Sequence, residues 1–223
     1  MAAPKLTRTM KKEITKQWQA EFPSMGIYKN MWLMNIVGPI IVGLLLEVKS
    51  INSEYYPTLH LDILTRERNE DDDIALTAST EVDFEYVSTI SKPDKYLVLA
   101  DKLKKKAVIP LEGDVKIEEV INCLKKYCSQ KYYKVDWMYT LKLMMHLAVW
   151  SNREDIIDDT FKFVKNRLEY LVHVEWLRNK QEADQWYKEI LDDIADADLL
   201  KQRVEENIVK LKLTDIPVRK IIL

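Results

Sequence analysis

Apolar and polar residues alternate in the first half of the chain in a way that is typical of β-strands. Leu59, Leu61 and Ile63 are separated by polar residues, and a period of two places such side chains on one face of a half-buried strand. Upstream, the run 33–48 is almost wholly apolar and is interrupted at Gly43; a glycine inside a strand often marks a bulge. We predict a pair of buried strands within 33–48, a half-buried strand over 58–64 and a further strand over 74–79.

Apolar spacings of three and four residues predict helices at the start of the chain and throughout its second half. Residues 114–223 contain no glycine and a single proline, which favours long uninterrupted helices. Asp114 is expected to cap the first helix of this half, and Ser151 with Glu154 to form a capping box for the third. The predicted helices span residues 7–21, 93–106, 114–128, 135–150, 153–178, 182–195 and 198–211.

Together these elements predict an α+β fold, in which an N-terminal antiparallel β-sheet with flanking helices is followed by a mainly α-helical C-terminal half. The helix over 135–150 is apolar on nearly all sides, so we expect it at the centre of the helical bundle. We divide the chain into an α/β segment, 1–112, and a helical segment, 113–223, packed on each other as one continuous globular unit. The full length of 223 residues is enough for a sizeable common core.

Composition narrows the classes of function. The chain has 34 Lys and Arg against 36 Asp and Glu, a formal net charge of −2, which argues against nucleic acid as a partner because such binding depends on phosphate contacts. The apolar stretch 32–46 is too short and too interrupted to cross a membrane, and the first residues do not resemble a secretory signal. We read Cys123 and Cys128 as reduced packing residues. These features predict a cytoplasmic protein, and the excess of lysine over arginine suggests a bacterial one.

The sequence lacks the usual catalytic signatures for nucleotide, serine-hydrolase and zinc-protease chemistry. It has only three histidines. We expect His60, on the polar face of a strand, to be a surface or hydrogen-bonded residue, and His146, on the most apolar helix, to be a neutral, hydrogen-bonded core residue. Glu169 and His173 share a helix face and could supply two metal ligands, with further carboxylates from Asp71–Asp73 or Asp192–Asp196. We nevertheless predict neither a metal site nor a cofactor.

The most distinctive feature of the sequence is an acidic segment over residues 181–198. Residues 181–198 contain seven acidic residues and one lysine, although the whole chain is nearly neutral. On a helix, Glu182, Glu189, Asp193 and Asp196 fall close together, and the apolar residues cluster on another side with Trp186 at the boundary. A row of carboxylates beside a tryptophan suits docking to a basic protein. The predicted partner-binding residues are Glu182, Trp186, Glu189, Asp192, Asp193 and Asp196.

These observations leave three hypotheses. The first, which we favour, is a non-enzymatic protein-interaction protein that binds a basic partner through the acidic helix, for example as a stoichiometric inhibitor; small bacterial immunity proteins are one class with this behaviour. The alternative is a metal-dependent hydrolase or transferase with a non-contiguous carboxylate and histidine site. The third is a homo-oligomeric component that associates through the near-heptad stripe of the helix over 153–178.

Overall fold

The computed structural model describes residues 5–49, 53–69, 72–75, 77–81, 85–89, 92–129, 137–174 and 176–223. Within them the fold is α+β, as predicted, with an antiparallel sheet in the N-terminal half and helices in the C-terminal half. The helices are α1 (Arg8–Glu21), α2 (Lys95–Lys106), α3 (Ile117–Ser129), α4 (Trp137–Ser151), α5 (Glu154–His173), α6 (Lys180–Asp193) and α7 (Ala197–Lys210). The strands are β1 (Gly26–Lys29), β2 (Trp32–Val37), β3 (Ile40–Val48), β4 (Glu54–Ile63), β5 (Thr77–Glu81), β6 (Val87–Ser88), β7 (Val115–Lys116), β8 (Val218–Arg219) and β9 (Ile221–Ile222).

The main sheet runs in the order β1-β2-β3-β4-β5, and neighbouring strands are antiparallel. The tight turn between β2 and β3 places Val37 opposite Ile40, and Gly38 at its start has φ +56°, a conformation that favours glycine. The pair of buried strands predicted within 33–48 is therefore confirmed. Two short strands complete the sheet, because β6 pairs with β4 and β8 runs parallel to β2.

Both faces of this sheet are buried, so the prediction of a half-buried strand over 58–64 is wrong. One face, which includes Leu59 and Leu61, belongs to the large core shared with α1 to α7. The other face carries Ile41 and packs against Leu211 and Ile216 of the C-terminal segment. The polar residues of β4 are buried because that distant segment and the chain around Ile74 cover them: Thr58, His60 and Asp62.

Two of the buried polar side chains of β4, His60 and Asp62, have specific partners. Trp32 Nε1 donates to His60 Nε2 at 2.9 Å, and Gly43, opposite His60 across the β3–β4 ladder, leaves space for the imidazole because an added Cβ would lie 2.1 Å from Nε2. Asp62 accepts from Arg68 Nη2 at 2.6 Å, and both side chains are nearly inaccessible to solvent. Hydrogen bonding thus compensates for much of the cost of burying these groups.

Helix α4 lies at the centre of the helical half, as predicted, because it packs against α3, α5 and α7 and also against β4 and β5. Ten of its fifteen residues are buried. The large core is continuous from α1 through the sheet to α7, and β8 joins the C-terminal end of the chain to β2 of the sheet. The two segments proposed from the sequence thus share one core.

Three local expectations are wrong. The strand expected over 74–79 begins and ends later in the chain, as β5, Thr77–Glu81. Ile74 lies before it and packs with Ile41 and Leu211 on the other face of the sheet. Asp114 does not begin α3, which starts at Ile117; its carboxylate accepts from the Lys220 backbone instead. Ser151 is the last residue of α4, and its hydroxyl donates to the Ala148 carbonyl, so the cap of α5 is Arg153 without a capping side chain.

Two further observations concern membrane-spanning helices and the two cysteines. Over the described ranges, no helix is both long enough and apolar enough to cross a lipid bilayer. Cys123 and Cys128 are free thiols on α3, and both pack against the large core. Burial raises the pKa of the Cys128 thiol to about 12, so this residue is an inert packing residue.

Candidate functional site

Helix α6 carries the acidic residues that the sequence analysis selected. Asn179 begins it, since its side-chain oxygen accepts from the Glu182 backbone N–H at 2.9 Å. The Glu182 carboxylate in turn accepts from the Arg178 N–H at 2.8 Å. Ala183 and Ile190 form the buried side of the helix. The cap and the apolar spacing together fix which residues of α6 face solvent.

The exposed side of α6 forms a row that we call the acidic face: Glu182, Gln185, Glu189 and Asp192. Steps of three, four and three residues place them along one ridge of the helix. Gln185 Nε2 donates to Glu189 Oε1 at 2.8 Å and thereby orients that carboxylate. Among the salt bridges of the described residues, none involves a carboxylate of this face.

Asp193 does not belong to this face, so that part of the predicted outward row is wrong. Its carboxylate lies 2.7 Å from Arg203 Nη1, 3.2 Å from Lys142 Nζ and 3.3 Å from His146 Nε2. The side chain is only 19% exposed. Asp193 is the last residue of α6 and lies next to its buried side, where cationic groups of α4 and α7 surround it.

Asp196 does not continue the row either. Helix α6 ends at Asp193, so the helical periodicity that placed Asp196 beside Glu189 does not apply. Asp196 is the N-cap of α7, and its Oδ1 accepts from the backbone N–H groups of Asp198 and Leu199 at 2.8 and 3.3 Å. Its charge therefore stabilises the positive end of the α7 dipole.

Trp186 lies at the boundary of the acidic face, as predicted. It is half-buried and packs against the large core. It lies three residues before Glu189 and four after Glu182, so it borders the ridge that carries both carboxylates. A tryptophan held on one side by the core and open on the other is a rigid apolar contact for a bound partner.

The contacts of Asp193 form part of a buried polar chain that the sequence analysis missed. Thr65 Oγ1 lies 2.9 Å from His146 Nδ1, and His146 Nε2 faces Asp193. Hydroxyl, imidazole and carboxylate follow one another as in a nucleophile triad. Thr65 and His146 are both fully buried, so no substrate reaches the hydroxyl. This buried polar chain instead connects the end of β4 to α4 and α6.

The electrostatics of this chain fit a structural role. Burial lowers the pKa of His146 although the nearby Asp193 carboxylate opposes this shift, so the imidazole is neutral at neutral pH, as expected for a core histidine. The adjacent His146 side chain and the hydrogen bond from Arg203 hold the pKa of Asp193 well below its usual range, although burial opposes them. The carboxylate is therefore ionised and balanced by the cations of Lys142 and Arg203.

The residues of the metal-dependent hypothesis do not come together. Glu169 and His173 are exposed on α5, whereas Asp193 forms ion pairs with cationic side chains of α4 and α7. Asp71 lies outside the described residues. In the part of the chain that the structure describes, no group of three or more His, Cys, Asp or Glu side chains is arranged to hold a metal ion.

One sequence signal could have revealed the partners of Asp193. Lys142 and His146 are four residues apart, on one face of the otherwise apolar helix α4. Two basic or polar residues that share a face of a central helix need acidic or hydrogen-bonding partners, because burying them alone is costly. The signal says that a partner exists, but it does not say which of the nearby acids supplies it.

Comparison of the chain with protein-family models, with curated proteins and with solved structures found no match.

Proposed function

We propose that this chain is a non-enzymatic, cytoplasmic protein-binding protein that docks a basic protein partner on the acidic face of α6. The observation that carries the proposal is that Glu182, Glu189 and Asp192 are exposed along one ridge while their neighbour Asp193 is neutralised within the chain. Unpaired carboxylates on one helix face repel one another and lower helix stability slightly. Binding of a cationic surface removes that repulsion.

Trp186 adds an apolar contact to the charged row. Carboxylates accelerate the encounter with a basic surface and fix its orientation, whereas buried aromatic contacts contribute most of the lasting affinity. The half-buried indole beside Glu182 and Glu189 supplies such a contact without needing to rearrange, because the core already holds its inner side. This combination suits a stoichiometric inhibitor or an immunity-type protein, whose single task is to cover a basic surface.

The test compares two variants of equal charge change. Glu189→Lys with Asp192→Lys reverses the acidic face, and Glu205→Lys with Asp158→Lys makes the same change at exposed acids of α7 and α5. Each form is used to capture partners from a lysate of the source cells, and captured proteins are identified and then titrated by calorimetry. We expect a partner with a basic surface that binds the parent chain and the control variant one to one.

Reversal of the acidic face should weaken this binding by about 2 kcal/mol or more, close to the effect of losing a central interface residue. Raising the salt concentration should slow association more than it speeds dissociation, because the charges act mainly on the encounter. Equal binding by the reversed and the control variants would show that the acidic face is not the docking surface.

A further inference from the structure

A cavity of about 360 Å³ lies between the C-terminal ends of α2 and α3 and strand β5, far along the chain from the acidic face. Three lysines line it among the described residues: Lys105, Lys106 and Lys126. No described acidic residue takes part in the lining. In a chain whose net charge is −2, several ammonium groups around one cavity favour an anion.

Two of these lysines, Lys105 and Lys126, can be recruited by a ligand. Lys126 has no carboxylate within 4 Å in the described part of the chain, whereas Lys105 Nζ contacts Asp101 Oδ2 at 2.7 Å. That pair is exposed, with side chains 73% and 61% accessible, and exposed pairs contribute little stability. A ligand with a higher charge can therefore replace Asp101 as the partner of Lys105.

Hydroxyl groups add neutral donors to the same cavity. Thr80 Oγ1 donates to the Lys106 carbonyl at 3.5 Å, and the Tyr127 hydroxyl donates to the Ser79 carbonyl at 3.3 Å. Both distances are long for hydrogen bonds from a hydroxyl, and the Thr80 hydroxyl gains by turning towards a stronger acceptor. The lining also includes Ala107 and Val108, which can contact an apolar part of a ligand.

We propose that this cavity binds a small phosphate monoester. A phosphate monoester dianion offers three strong acceptor oxygens and close to two negative charges, which match Lys105, Lys126 and the two hydroxyl donors. A single carboxylate would leave one ammonium without a counter-charge. The volume falls in the range of small-molecule sites and exceeds what phosphate alone fills, so the organic part of the ligand lies against Ala107 and Val108. The site is independent of the acidic face.

Cys123 provides an internal reporter, because it lines the cavity and is only partly buried. The other thiol, Cys128, is fully buried, and burial raises its pKa to about 12. A neutral reagent such as iodoacetamide therefore modifies Cys123 alone in the folded chain. A ligand in the cavity shields this thiol, so its alkylation rate measures occupancy at a known place.

The experiment uses phenyl phosphate as the probe and benzyl alcohol as an uncharged control, with alkylation of Cys123 followed by mass spectrometry and binding followed by calorimetry. At about ten times the dissociation constant of phenyl phosphate, the alkylation rate should fall about tenfold by mass action. Benzyl alcohol should leave the rate unchanged. Protection should also strengthen as pH rises through about 6, where the monoester becomes a dianion.

Two variants decide whether the lysines form the site. Lys126→Gln should raise the dissociation constant about tenfold, the factor expected for loss of one charge-assisted hydrogen bond, while Lys188→Gln on α6 should leave it unchanged. Lys126 also lies in the last turn of α3, where an ammonium stabilises the helix dipole. A purely structural role would lower the stability of Lys126→Gln without changing its affinity. Unprotected Cys123, or equal affinities of the two variants, would overturn the proposal.

Discussion

Replacing Asp193 by asparagine should destabilise the fold, whereas the same change at its neighbour Asp192 should have little effect. Asp193→Asn removes the charge that balances Arg203 and Lys142, whose side chains are only 15% and 31% exposed. Loss of a charge-assisted hydrogen bond, together with two partly buried cations left without a counter-charge, should cost about 2–3 kcal/mol of the free energy of unfolding. Asp192→Asn, one residue away on the exposed side, should change it by less than about 0.5 kcal/mol.

Urea unfolding followed by tryptophan fluorescence measures both variants against the parent chain. Because the pKa of Asp193 is lowered in the folded state, its stabilisation is present above the ordinary aspartate pKa of about 4 and is lost as pH falls below it. The difference between parent and Asp193→Asn should therefore persist from pH 8 to 5 and shrink in stronger acid. Equal stabilities of the two variants at pH 7 would refute the assignment of Asp193 to the buried polar chain.

Three further outcomes test the sheet. Burial lowers the pKa of His60 from 6.5 to about 4, so the imidazole is protonated at a higher pH in the unfolded chain than in the folded one. The free energy of unfolding should therefore fall by about 3 kcal/mol as the pH is lowered from 6.5 to 4. His60→Gln should remove most of this fall in urea titrations at a series of pH values. Gly43→Ala should cost about 1–3 kcal/mol through overpacking, with part of the cost relieved by His60→Ala in a double-mutant thermal unfolding cycle. Arg68→Met should cost about 3–5 kcal/mol of the free energy of unfolding, because it leaves Asp62 buried without its partner. Arg66→Met should cost clearly less in the same assay, because the Arg66 side chain is 27% exposed and lies 3.7 Å from Asp62.

The positions of the helices could be predicted from the sequence because their apolar spacing is a local property. All seven helices of the described chain overlap a predicted one, and α4 lies at the centre because it has no polar side to expose. Helix ends were harder to place. Ser151 and Asp114 are good capping residues by type, but one completes the preceding helix and the other holds the Lys220 backbone. Composition alone cannot distinguish these uses.

The two faces of the sheet show why long-range burial could not be predicted. The alternation around His60 resembles that of a strand with one wet face, since polar residues usually mark solvent. What buries this face is a segment more than 140 residues further along the chain: Asn207 Nδ2 donates to the Leu64 carbonyl at 2.6 Å, and Leu211 packs beside it. No local pattern near β4 encodes that contact.

The same reasoning applies to the candidate site and limits what a helical projection can identify. Periodicity assigns a direction to each carboxylate of α6, but a binding surface also requires that the charge be left unpaired by the rest of the molecule. Asp192 and Asp193 are chemically identical neighbours, yet only Asp193 lies where α4 and α7 bring cations to it. Asp196 lies beyond the helix end and caps the next helix. The lack of an ion pair or a helix-capping contact among the described residues, rather than acidity, therefore separates Glu189 and Asp192 from Asp193 and Asp196.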